Sequence, residues 1–174
     1  MKIIPATAAL LALGILAAQA QSVGEKTGVN SVLGIAPKTD DFVKEVAISD
    51  MFEIESSKLA QEKSTNDKTK KFAEQMVADH SKTSSELKSM APNKSVIPTK
   101  LDSSHQSKID KLKGLKGDDF TKQYDSMQVS AHKDAVGLFQ RYAKGGDNAK
   151  LKEWAGKTLP TLKHHLDMAQ ALNK

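Results

Sequence analysis

Helical periodicity constrains this chain more than any other feature. After residue 38 the apolar residues recur three and four apart through four long stretches, and no alternating run suggests a strand. The first stretch spans about Thr39 to Lys63 and is introduced by Thr39-Asp40-Asp41, an N-cap cluster. The second spans about Asn66 to Ala91 and stops at Pro92. The third runs from about Asp118 to Lys144, ending at Gly145-Gly146, and the fourth from about Asp147 to Leu172. Pro160 falls inside the fourth and is predicted to kink it or divide it in two.

The links set the topology. Those joining the first to the second stretch and the third to the fourth are short. The one between the second and third is long enough to cross a whole bundle, and it carries a short amphipathic stretch from Asp102 to Leu112. The pattern predicts an all-α four-helix bundle with a long crossover between helices 2 and 3 carrying a short extra helix, the topology of ferritin-like folds. A plain up-and-down bundle with a decorated loop is the alternative.

Upstream of the bundle, Lys2, the apolar run Ile3 to Ala18 and the small-x-small triplet Ala18-Gln19-Ala20 read as a signal peptide over residues 1–20. The run is shorter than a bilayer-spanning helix needs, and no second one follows, so no integral membrane segment is expected after cleavage. Residues 21–38, rich in Gly, Ser, Val and Thr and ending near Pro37, read as a flexible leader, and 39–174 as the bundle domain. Export is therefore expected, to the periplasm first, with secretion or outer-membrane association as variants. The absence of cysteine excludes disulfides, thiolate metal sites, a cysteine nucleophile and a lipoprotein anchor. Lysines outnumber the single arginine heavily but alternate with acids on helix faces, as in Lys150-Leu151-Lys152-Glu153. Nucleic acid is not an expected partner, since phosphate clamps and base readout favour arginine and stacking aromatics.

Helical wheels at 100° per residue sort the ionisable groups. In the first helix Glu53 falls with Phe42, Val46 and Ala60, opposite Glu55, Lys58 and Glu62. In the second, His80 lies beside the stripe Phe72, Met76, Thr83, Leu87 and Met90, with Asp79 at its edge. His132 flanks Phe120, Tyr124, Ala135, Leu138 and Phe139 in the third. In the fourth, His165 faces inward between Leu151 and Trp154, while His164 faces out. Each helix thus offers one ionisable group to the interior, and the distances from the helix starts allow all four to share one layer. A buried carboxylate is costly unless paired, and neutral imidazole is the commonest metal ligand. Glu53, His80, His132 and His165 therefore suit a site for one transition-metal ion, zinc, iron, copper or manganese, with Asp79 orienting a ligating histidine. The same residues also suit a structural hydrogen-bond network without metal.

Other chemistries lack their residues. No ExxH pair exists, as a di-iron carboxylate site requires, and the nearest match, Asp102-Ser-Ser-His105, belongs to the crossover. Nor is there a GxSxG, HExxH, Walker or GxGxxG pattern, so no catalytic residue is assigned and a non-enzymatic role is favoured.

The ordered residues Met51-Phe52-Glu53-Ile54-Glu55, Phe72-Ala73, Asp79-His80, Phe120, Tyr124, His132 and Leu159-Pro160-Thr161-Leu162 with His165-Leu166 resemble a family of bacterial exported proteins, the domain of unknown function 4142. The resemblance covers about Thr39 to Leu172. It implies a ferritin-like bundle in the cell envelope, and it points to Glu53, Asp79, His80, His132 and His165 as recurring polar residues. Family members often carry Asp after the Phe that opens the third helix; this chain has Thr121, so that role is not carried over. No activity comes with the resemblance. Two functions remain open: metal binding in the bundle core for storage, sensing or envelope stress protection, and a non-catalytic module whose partner is another envelope protein.

Overall fold

The computed structural model describes residues 32–173. Five α-helices make up the described chain: α1 (Thr39–Lys63), α2 (Asp67–Met90), α3 (Ser103–Gly114), α4 (Gly117–Gly145) and α5 (Ala149–Leu172), with a short 3-10 turn at Lys94–Val96. No strand occurs among the described residues. The expected signal peptide and most of the expected leader lie outside them.

Local side-chain chemistry sets most helix starts. The Asn66 side chain accepts from the backbone N–H groups of Lys68 and Thr69, Asp102 from that of His105, and Asn148 from that of Leu151. The expected cap of α1 is corrected: Lys38 occupies the cap position without a side-chain bond. The Thr39 hydroxyl instead meets Asp147 Oδ1 at 2.6 Å and Tyr142 Oη at 2.6 Å, tying the start of α1 to the turn between α4 and α5. Of the two outcomes expected at Pro160, a kink or a division, the division is corrected, since α5 passes through the proline as a single element. Trp154, Ala155, Leu162 and His165, buried on either side of the proline, hold both halves of α5 against the bundle, and this packing outweighs one missing N–H.

Hydrogen bonds between helices define the topology. Thr65 Oγ1 donates to Asp118 Oδ1 at 2.6 Å and Ser64 bonds Thr121 at 2.9 Å, so α4 begins beside the α1–α2 turn. Ser57 meets Tyr124 Oη at 2.8 Å further along, and Thr39 meets Tyr142 at the far end. α4 is therefore antiparallel to α1. The connection after α2 runs the length of the bundle, carrying α3 on the flank of α1, where Lys113 pairs with Glu55 at 2.9 Å. Gly117 opens α4 at φ +57°, a conformation that lets the chain turn sharply out of α3.

The interior has three layers. At one end Phe42, Val46, Leu138, Phe139, Tyr142, Leu151, Trp154 and Leu162 form an apolar cluster, in which the Phe42 and Tyr142 rings stack with centroids 3.8 Å apart. At the other end Phe72, Met76, Leu112, Phe120, Tyr124 and Ala169 form a second. Between them every long helix changes from apolar to polar within one turn, bringing Asp50, Glu53, His80, Gln128, His132 and His165 into a buried layer.

Candidate metal centre

α1 contributes Asp50 and Glu53 to this layer, α2 His80, α4 Gln128 and His132 one turn apart, and α5 His165. The three imidazoles form a nearly equilateral triangle, with ring centroids 5.7 Å apart for His80 and His132, 5.8 Å for His80 and His165, and 5.5 Å for His132 and His165. Each offers a ring nitrogen within 4.8 Å of those of the other two, and all three residues are buried.

One nitrogen of each ring is fixed. His132 Nδ1 lies 2.9 Å from the Gln128 carbonyl, which only accepts, so Nδ1 carries the proton and Nε2 the lone pair. His80 Nδ1 faces Asp50 Oδ1 at 2.8 Å, and His165 Nε2 faces Asp79 Oδ2 at 2.9 Å. The same reasoning leaves a lone pair on His165 Nδ1, and on His80 Nε2 in the neutral form of that ring. All three of these nitrogens are buried without a hydrogen-bond partner, and the Glu53 carboxylate is buried beside the Gln128 amide. Asp50 is itself anchored, accepting from Thr83 Oγ1 at 2.9 Å on Oδ1 and from Ser84 Oγ at 3.1 Å on Oδ2.

Electrostatics separate the members. Burial lowers His132 to a pKa of about 4, assisted by the charge of His80. Burial, with the charges of His132 and His80, brings His165 to about 4 against the opposing pull of Asp79. Burial would lower His80 too, but the Asp50 hydrogen bond and the charges of Glu53, Asp50 and Asp79 prevail, and its pKa is raised. Glu53 is pushed up to about 7 by burial, against the lowering influence of His80 and the Gln128 amide. At neutral pH His132 and His165 are thus neutral, the form that ligates metal. Glu53 is electrostatically coupled to His80 while standing outside the triangle of close nitrogens.

A buried acceptor left unbonded costs about 1–3 kcal/mol, so the nitrogens of His132 and His165 call for a donor or a cation. His164 is exposed. Asp102 and His105 bond each other at 2.8 Å as the N-terminal cap of α3, remote in role from the histidine layer. The wheels did not single out Asp50 or Gln128. Asp50 lies four residues after Val46 and three before Glu53, on the flank of the apolar stripe; Gln128 lies four from both Tyr124 and His132, squarely inside it. A search restricted to ionisable groups passes over the amide, although its position on the wheel was visible.

The sequence matches the model of a family described as "Domain of unknown function (DUF4142)" over residues 24–172. The chain belongs to this family. No curated protein and no solved structure matches it. In this member of the domain-of-unknown-function 4142 family the matched region takes in all five helices, the whole buried polar layer and Asp79, and it begins upstream of α1. Among the described residues no helix is long and apolar enough to cross a membrane.

Proposed function

We propose that this protein binds one transition-metal ion in its bundle core, through His80, His132 and His165, with the Glu53 carboxylate as the fourth ligand. The observation that carries the proposal is the convergence of three buried imidazoles, each with one nitrogen anchored and the other unpartnered. Metal–imidazole bonds of about 2.0–2.1 Å in a tetrahedral set require a further approach of the nitrogens of no more than about 1.5 Å. Asp50, Asp79 and the Gln128 carbonyl play the part of the outer groups that orient ligating imidazoles in metal sites. Zinc, iron, copper and manganese all accept such a set. Storage, sensing or envelope stress protection are the roles this reading carries. The signal-like segment over residues 1–20 supports export to the bacterial periplasm.

Metal content of residues 21–174, purified without an affinity tag, tests the reading against Glu53→Ala and His165→Ala proteins shown by circular dichroism to be folded. The expected result is near-stoichiometric metal in the parent and little in either variant. A parent that stays metal-free after reconstitution with all four metals would overturn it, and would favour the envelope interaction module with a structural polar layer.

A further inference from the structure

A groove of about 410 Å³ opens between α2 and α5. Asp79 and Thr83 line it from α2, and Trp154, Lys157 and Thr161 from α5. Two of these residues hydrogen-bond to the buried layer. The Asp79 side chain is 36% exposed on the groove side while its Oδ2 holds His165, whose side chain is 2% exposed. Thr83 Oγ1 donates to Asp50 Oδ1, and the same oxygen holds His80. From the groove, His165 is one side chain away and His80 two. His132, by contrast, is anchored to backbone.

We propose that this groove is the route by which a divalent transition-metal cation reaches the core, and that Asp79 takes the cation at the inner end of the groove and passes it to His165. The inference rests on the metal-binding reading above. A hydrated dication cannot cross the apolar clusters at either end of the bundle without a prohibitive desolvation cost. At Asp79 a half-exposed carboxylate replaces part of the water shell before any imidazole does. Turning Asp79 toward the groove also releases His165 Nε2, so capturing the ion and freeing the ring to reorient are one movement. His165 Nε2, freed from Asp79, is the first nitrogen the ion meets, and Nδ1 of the same ring is buried and unpartnered. The lysines at the rim, Lys82 paired with Glu86 at 4.0 Å and Lys157 paired with Glu153 at 2.6 Å, are largely exposed and oppose a cation's approach.

Stopped-flow absorbance of metal-free protein mixed with Co²⁺ measures loading, and release into excess chelator measures the reverse rate. Thr161→Trp, at an exposed position on the groove wall, should slow both rates by about tenfold with Kd unchanged, because an obstructed route raises one barrier for both directions. Lys157→Glu should load about two- to fivefold faster at low salt, an advantage that disappears at high salt. Gln170→Trp, exposed on α5 outside the groove, should load at the parent rate. If the parent binds cobalt and both groove variants load at the parent rate, the route is overturned and the site stands. If the parent binds neither cobalt nor zinc, the metal reading itself falls, and this inference with it.

Discussion

Glu53 carries the clearest conflict between stability and function. Its carboxyl is buried and its pKa is raised to about 7 by that burial. A raised carboxyl favours the folded state only while protonated. Its contribution is fully present below the unfolded value near 4.5 and is lost as pH rises through about 7. Glu53→Gln should therefore leave metal-free stability nearly unchanged at pH 4.5 and raise it by roughly 2–4 kcal/mol at pH 8, while abolishing tight metal binding. Urea denaturation at the two pH values checks this, and equal effects at both would place the carboxylate in a solvated or paired setting. Asp50 makes the complementary case. Asp50→Asn keeps the shape that receives His80, Thr83 and Ser84 but removes the charge facing the ring. Metal affinity should fall about 10- to 100-fold with the fold intact, as loss of an orienting carboxylate does elsewhere. Isothermal titration measures it. His80, His132 and His165 were legible in the sequence because each interrupts or flanks an apolar stripe. The partners of their second nitrogens were only partly so, because a hydrogen bond between helices depends on axial register, which no single wheel contains. Asp79 lay at the edge of its stripe, whereas Asp50 depends on how α1 is rotated against α2.

At the scale of helices and turns, most boundaries were readable because they are local chemistry. Asn66, Asp102 and Asn148 each cap the helix that begins at the next residue, and no neighbouring helix is needed to do so. Where tertiary contacts compete, local signals yield: Thr39 forgoes capping for Asp147 and Tyr142, and packing carries α5 undivided through Pro160. Two glycines of the α4 region separate the local from the tertiary term. A Cβ at Gly137 would meet nothing within 4 Å, so Gly137→Ala in the helix interior should stabilise by about 0.5–1 kcal/mol. A Cβ at Gly146 would lie 2.6 Å from the Tyr142 ring and 2.7 Å from its carbonyl oxygen. Gly146→Ala should therefore cost about 1–3 kcal/mol, because the stacked Phe42–Tyr142 pair leaves the ring little room to yield. Thermal unfolding of both proteins checks the opposite signs, and a shared sign would mean that the turn between α4 and α5 relaxes freely.

For the whole molecule, the bundle and its crossover were legible from link lengths, since one long connection between two hairpins leaves few ways to close a core. The layering was not visible in any one helix. It arises because α1 and α4 run antiparallel, so the polar turn of each, at Asp50–Glu53 and Gln128–His132, meets the other at mid-height between two apolar clusters. Such an architecture gives a metal ion leverage over the entire fold. An ion bound at the proposed site would stabilise the native state alone, by about 2.7 kcal/mol at a free concentration 100 times Kd. For a domain of this size that corresponds to a rise in Tm of roughly 5–11 °C. The metal-free protein retains its two apolar clusters, so it should remain folded and unfold cooperatively at the lower temperature. Chelation should reverse the rise, and in His165→Ala, which removes one corner of the triangle, added metal should leave Tm where it was. Differential scanning calorimetry with and without metal reads both effects. A Tm that ignores metal in the parent would mean that the layer holds the four helices in register by itself, at the cost of its unpaired nitrogens.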